Sequence, residues 1–366
     1  MDENSVKKLR FIFLYPLSIL YGMLTRVRNL LYDSAIFKSV QFDQIKTIGL
    51  GNLCVGGSGK TPHTEMIIKM LKGTHKIAYL SRGYGRNTSG FLEVFEDSKP
   101  ENTGDESLQV KRKFQELFVS VCENRVKGIQ MILEKAPETE LVILDDAFQH
   151  RKLKCGLTIL LTEYNDLYLH DYLMPAGRLR EGKGGYLRAD LIVVTKTPES
   201  ATAIDLRKIS KEIQPRAYQK LFFSYLQYGK MYSMMDSSVI FPAEQKLFLF
   251  RVLLVTGIAK PEALVTWVKE YADDVIHRSY PDHHNFTPAD IHSLIREFQS
   301  VESENKIMVT TEKDAIRLRT YQELLNEIPI FVVPIEVDFQ SQAKEMEQCI
   351  KQFLKQKKIQ HDKYYK

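Results

Sequence analysis

A chain of 366 residues, 44% of them hydrophobic, is long enough for two cored domains and too apolar for general disorder. Its formal net charge of +5 is too small for that length to argue for nucleic acid, though it is compatible with an anionic surface. The four cysteines, Cys54, Cys122, Cys155 and Cys349, are widely spaced and form no CxxC pair, so neither a disulfide framework nor a zinc site is indicated and a reducing cytosol fits best.

The first element is an apolar run from Phe11 to Leu24, preceded by Lys7, Lys8 and Arg10 and followed by Arg26 and Arg28. A bilayer core takes about 20 apolar residues, and Pro16 and Gly22 interrupt this shorter run, so it does not span. No small-residue cleavage site follows, as a signal peptide would require. An interfacial anchor over residues 1–30 is the expectation, its flanking cations meeting anionic lipid at roughly 1 kcal/mol each. An ordinary core helix is the competing reading.

Short β-branched runs then alternate with helical patterns: Ile45 to Leu50, Lys76 to Ser81, Leu117 to Cys122, Leu141 to Asp145, Leu157 to Thr162 and Asp190 to Thr195. That alternation predicts an α/β fold, a parallel sheet with helices on both faces, over residues 31–220. From Leu221 to Met235 the text becomes an aromatic alternation that reads as extended connecting strands, and residues 221–247 are taken as a linker. A smaller α/β domain is expected over 248–354, with strands at Phe248 to Thr256, Val275 to Tyr280, Lys306 to Thr310 and Ile330 to Ile335 and a helix at Glu262 to Tyr271. The end, 355–366, is a basic tail.

The first strand runs into Cys54-Val55-Gly56-Gly57-Ser58-Gly59-Lys60-Thr61, and a helical pattern follows from Pro62. This is the strand, loop and helix order of a P-loop. Glycines let backbone N–H groups face phosphate oxygens, Lys60 reaches the β- and γ-phosphates, and Thr61 can hold Mg²⁺. The general pattern wants glycine where Cys54 stands. Downstream, Leu141-Val142-Ile143-Leu144 ends in Asp145 and Asp146, hard oxygen ligands suited to Mg²⁺ beside a nucleotide. Thr195-Lys196-Thr197-Pro198 lacks the aspartate that would pair a guanine edge, so ATP is expected rather than GTP.

Taken together, these segments resemble the tetraacyldisaccharide 4'-kinase family. The resemblance rests on Gly51-Asn52 with Gly56 to Pro62, Ser81-Arg82-Gly83-Tyr84-Gly85, Gly104-Asp105-Glu106, Asp145-Asp146-Ala147-Phe148-Gln149-His150, Pro175-Ala176-Gly177-Arg178-Leu179-Arg180-Glu181, and Asp282-His283-His284 with Phe286. Ala147 departs from a usual glycine and Arg178 from a usual proline.

The resemblance implies an ATP- and Mg²⁺-dependent transfer of the γ-phosphate to the 4'-hydroxyl of a lipid A disaccharide 1-phosphate precursor, forming lipid IVA. It also implies two domains joined by a two-stranded linker, at the cytoplasmic face of the bacterial inner membrane. Asp105 would be the base for the acceptor hydroxyl and His283 its partner, with Lys60 and Asp146 completing the catalytic set. On residue type alone, the helix N-cap is the favoured reading of Asp105 and the solvated loop histidine that of His283. Arg82, His150 and Arg180 are candidate substrate contacts, and Glu181 joins Thr61, Asp145 and Asp146 as a candidate at the metal. Thr310-Thr311-Glu312-Lys313-Asp314 opens a helix after a strand, with no role assigned.

Two other readings share the loop and the carboxylates: a phosphate-loop ligase or a hydrolase driving metal insertion, and a nucleotide-gated membrane adaptor. The N-terminal anchor argues against the first, and turnover separates the second.

Overall fold

The structure, a computed structural model, describes residues 3–241, 249–282 and 284–356, with side chains from residue 13 onward. His283 and the tail from 357 lie outside the described residues, as do the side chains of Lys7, Lys8 and Arg10.

Among the described residues, eight strands form the first sheet: β1 (Lys46–Asn52), β2 (Ile77–Ser81), β3 (Leu92–Glu93), β4 (Phe118–Val121), β5 (Leu141–Leu144), β6 (Leu157–Glu163), β7 (Leu191–Thr195) and β8 (Lys220–Phe223). Their order in space is β3-β4-β2-β5-β1-β6-β7-β8, parallel throughout except for the β3–β4 edge. The helices are α1 (Glu3–Asp33), α2 (Lys60–Leu71), α3 (Pro100–Thr103), α4 (Asp105–Lys113), α5 (Arg125–Lys135) and α6 (Ala203–Ile213).

The continuous apolar text of β5 reflects burial on both sides, as expected of a covered parallel sheet. Leu141 and Ile143 meet Ile67 and Ile68 of α2 and Leu108 of α4 on one face. Val142 and Leu144 meet Ile129 and Ile132 of α5 on the other. Each such side chain contributes up to roughly 1.5–3 kcal/mol by leaving water. The chain begins mid-sheet at β1, moves outward, returns through β5 and then leaves in the other direction through β6. The reversal puts a crevice at the carboxyl ends of β1 and β5, where ligands bind in open α/β sheets.

After β8 the chain passes through β9 (Tyr225–Tyr228) and enters a second sheet built from β10 (Tyr232–Ser233), β11 (Arg251–Thr256), β12 (Asp274–Ser279), β13 (Lys306–Thr311) and β14 (Ile330–Val333), in the order β10-β14-β13-β11-β12. Its helices are α7 (Glu262–Tyr271), α8 (Pro288–Ser300), α9 (Glu312–Leu318) and α10 (Gln322–Leu325). The strand expected from Ile330 to Ile335 divides at Pro334, which has no N–H to give a ladder. Its second half, β15 (Ile335–Asp338), pairs antiparallel with β9 as a two-stranded ribbon. Two features differ from expectation. Lys220–Phe223 is the edge strand of the large sheet rather than the start of the linker. The last helix, α11 (Ala343–Lys355), returns to the first core, where Met346, Ile350 and Phe353 share a cluster with Ile48 and Leu50.

Candidate active site

The loop after β1 is held in shape by side chains that reach its polar atoms. Asn52 Nδ2 donates to Ser58 Oγ at 2.9 Å, and Thr195 Oγ1 donates to the Ser58 carbonyl at 3.0 Å. Gly59 precedes α2 with φ 80°, a left-handed conformation that costs a residue with a Cβ roughly 1–2 kcal/mol. Buried His63 lies 2.7 Å from the Gly59 carbonyl by Nδ1 and 2.8 Å from Ser224 Oγ by Nε2. Burial pushes its pKa down to about 4 against the raising effect of the Gly59 bond, so the ring is neutral and Nδ1 carries the hydrogen. His63 was not a sequence candidate.

Cys54 and Val55 are strapped to the segment before Glu181. Val55 N donates to the Arg178 carbonyl and Arg180 N to the Leu53 carbonyl, each at 2.8 Å. Bridge pairing of Cys54 with Leu179 makes position 54 extended, which removes the need for glycine there. Burial, with Asp171 adding to it, raises the Cys54 thiol to about 11, so it is a protonated packing group.

The same strap delivers Arg180 to the carboxylates. Arg180 Nη1 lies 2.8 and 2.9 Å from the two Asp146 oxygens and 3.2 Å from Gln149 Oε1, while Lys60 Nζ is 3.9 Å from Asp146. Burial acts to raise the Asp146 pKa, but Lys60 and Arg180 outweigh it and hold the group below its ordinary value. Asp145 is buried, accepting from Tyr79 OH at 3.2 Å and from the Asp146 N–H at 2.9 Å. Burial, then repulsion from Glu106, pushes its pKa up to about 7. Asp146 adopts φ 46°, and Arg125 braces that turn by donating to the carbonyls of Asp145 and Asp146, each at 3.2 Å. Sequence reading passed over Arg125, which nothing in its local text distinguishes.

Glu181 gathers donors from three segments. Asn29 donates to one oxygen at 2.8 Å, and Gln149 at 3.2 Å and Arg188 at 2.7 Å donate to the other. Both oxygens are engaged by N–H donors, so the carboxylate ties α1 to the site. Among the described residues no group of three or more His, Cys, Asp or Glu is arranged for a metal ion. Mg²⁺, which takes one or two carboxylates and keeps its waters, does not need such a group.

Asp105 opens α4 as its first helical residue, and Gly104 with φ 83° occupies the N-cap position that Asp105 was weighed for. Its carboxylate is 7% exposed and accepts from Arg317 in two bonds, Nε to Oδ1 at 3.0 Å and Nη2 to Oδ2 at 2.7 Å. Arg317 is on α9 of the second sheet and was missed in the sequence. His284 packs on Tyr280 and lies 3.1 Å from Asp290, a structural engagement.

Arg82 is exposed. His150 is held neutral, its pKa lowered to about 4 by burial and then by Arg125, Lys152, Arg28 and Arg82. These cations surround it with positive charge.

α1 docks by its polar side. Tyr21 OH donates to the Arg180 carbonyl at 2.6 Å, Ser18 Oγ accepts from Ala176 N at 2.9 Å, and Arg28 bonds the Gln149 carbonyl. Its opposite side faces outward: Phe13 (70% exposed), Leu17, Leu20, Leu24 (64%), Val27 and Leu30. A cleft of about 1820 Å³ opens beside the helix, lined in part by Ile19, Met23, Leu30, Phe148, His150 and Leu173. Among the described residues no helix is long and apolar enough to cross a membrane.

The profile of the family described as tetraacyldisaccharide-1-P 4'-kinase matches residues 10–355. A tetraacyldisaccharide 4'-kinase of Bacteroides thetaiotaomicron is 41% identical over 361 residues, covering 96% of this chain and 94% of its own. The Flavobacterium johnsoniae protein of that name is 38% identical, over 94% and 97%. A crystal structure of LpxK from Aquifex aeolicus in complex with ATP superposes with a TM-score of 0.72 at 29% identity, over 94% of this chain and 99% of that one.

Proposed function

This chain belongs to the tetraacyldisaccharide-1-P 4'-kinase family, and from that premise we propose how its residues carry out the family's reaction. The enzyme transfers the γ-phosphate of ATP to the 4'-hydroxyl of a lipid A disaccharide 1-phosphate precursor.

The observation that carries the assignment of roles is the meeting of Lys60 and Arg180 on Asp146 at the carboxyl ends of β1 and β5. The amides of Gly56, Gly57 and Gly59 cradle the phosphates, and Lys60 turns from Asp146 to the β- and γ-oxygens. The Thr61 hydroxyl with Asp145 and Asp146 is an all-oxygen donor set that fits Mg²⁺, which neutralises phosphate charge when bound. Asp105 accepts the proton of the 4'-hydroxyl as its oxygen bonds to the γ-phosphorus. The bond from that phosphorus to the bridging oxygen breaks, and ADP leaves with the electron pair. His283 is assigned as the partner of Asp105. Arg180 steadies Asp146 and the transferring charge, and Arg82 with the cations around neutral His150 receives an anionic group of the lipid.

The outward apolar side of α1 supports docking on a lipid surface, which we place at the cytoplasmic face of the inner membrane. A chain buried there gains about 0.8 kcal/mol per CH₂. The adjoining cleft suits acyl chains.

Purified full-length protein incubated with labelled ATP, Mg²⁺ and a tetraacyl disaccharide 1-phosphate should give a labelled bisphosphorylated lipid. Phosphate release with no lipid label would overturn this reading in favour of a hydrolase.

A further inference from the structure

The segment Thr310 to Asp314 and the helix it opens carry no part of the chemistry above, yet their charged side chains are all engaged across α9. Thr311 caps the helix, its Oγ1 accepting from Asp314 N at 3.1 Å and donating to the Asp314 carboxylate at 2.7 Å. The same carboxylate accepts from Gly257 N at 2.9 Å, and Lys313 donates to Asp282 at 2.7 Å. Glu312 accepts from Lys113 Nζ at 2.7 Å and from Ile335 N at 3.3 Å. Arg317, further along, grips Asp105.

These contacts form a clamp on α4 from the second sheet. Glu312 holds Lys113 at the end of α4, and Arg317 holds Asp105 at its start. Swapping the partners would set Glu312 against Asp105 and Arg317 against Lys113, so the charges accept one alignment. Lys113 also donates to Glu65 of α2 at 2.6 Å, which extends the clamp to the helix of the phosphate loop.

We propose that Arg317 is a positioning residue for Asp105, fixing the plane of its carboxylate toward the acceptor hydroxyl, so that the second sheet completes the transfer site. The proposal rests on Asp105 being the base. A planar guanidinium fixes a carboxylate in both place and orientation, which a lysine ammonium does not. A carboxylate offers about four acceptor positions, of which the fork takes two. The side chains are 15% and 6% exposed, so water and salt screen the pair little.

The test uses full-length protein with Arg317→Ala, Arg317→Lys and Asp105→Asn. Misplacing a catalytic group by about 1 Å costs on the order of 10²-fold in rate. We expect kcat of Arg317→Ala to fall by roughly that factor, with KM for ATP and lipid and ATP-analogue affinity near the parent's, and the melting temperature lowered because a largely buried Asp105 loses the fork. Millimolar guanidinium should raise kcat of Arg317→Ala and leave Asp105→Asn and the parent unchanged, while Arg317→Lys recovers only part of the rate. Parent-like kcat in Arg317→Ala alongside an inactive Asp105→Asn would overturn the positioning role and leave the base standing. Active Asp105→Asn would instead remove the base itself. A loss of kcat that tracks a fall in melting temperature, with no response to guanidinium, would make Arg317 merely structural. If Arg317→Ala does not fold, parent-like kcat in Arg317→Lys overturns the fork geometry.

Discussion

One nitrogen of Arg180 sits between both oxygens of Asp146, at 2.8 and 2.9 Å, and the carbonyl of the same arginine accepts from Tyr21 of the N-terminal helix at 2.6 Å. A single residue thus joins the N-terminal helix to the carboxylates that end β5. Arg180→Ala leaves Asp146 with only the longer Lys60 contact of this pair. It should lower kcat on the order of 10²-fold, as loss of one electrostatic donor does. Steady-state lipid phosphorylation measures this, and a parent-like rate would take Arg180 out of the site.

Lys60→Ala should lower turnover by roughly 10²–10³-fold. Analogue binding by calorimetry together with initial rates separates loss of the phosphate clamp from misfolding. Near-normal rates would contradict the loop assignment.

Glu65 supplies a pH prediction. Burial, and then repulsion from Glu312, raises its carboxyl to about 7 from an ordinary 4.5. Between those values the folded chain keeps a proton that the unfolded chain has released, so rising pH favours unfolding across that window. Glu65→Gln removes the dependence. Its denaturant midpoint relative to the parent should therefore climb from about pH 5 to about pH 8. A constant difference across that range would mean that Glu65 is ionised throughout.

On α1, Leu20→Ser with Leu24→Ser removes two outward apolar side chains. Each is worth up to roughly 1.5–3 kcal/mol when buried, so the pair should weaken partition to anionic vesicles by on the order of 10²-fold or more. Flotation measures this, and ATP-analogue affinity should stay unchanged. Undiminished flotation would end the anchor assignment.

Gly104→Ala places a Cβ 3.0 Å from the Tyr84 carbonyl at a φ of 83°. Strain of about 1–3 kcal/mol should lower the melting temperature. Because Asp105 follows directly, kcat should fall as well. Unchanged melting and kcat would show that the turn relaxes freely.

What the text of the chain declared was what local physics encodes. β5 is an unbroken apolar run because helices cover both its faces, and α7 spans Glu262–Tyr271 as its periodicity predicts. The glycines of the loop and the paired aspartates announce their chemistry by residue type. What it hid was partnership over distance. Arg317 meets Asp105 across 212 positions, and His63 meets Ser224 across 161, with no periodic signal for either. Glu181 shares a motif with Arg180 but spends its oxygens on Asn29, Gln149 and Arg188, which only the docking of α1 brings near. The apolar stripe of α11 reads as a helix face without saying which sheet it will cover.

That last helix sets an order on biosynthesis. The second sheet has all its described strands once Val333 has emerged from the ribosome, so it can fold while still tethered. The first sheet was made earlier, yet it waits for Met346, Ile350 and Phe353 to cover Ile48 and Leu50. Nascent chains halted before Ala343 therefore carry a bare apolar face on the nucleotide half, the half synthesised first and the last to close.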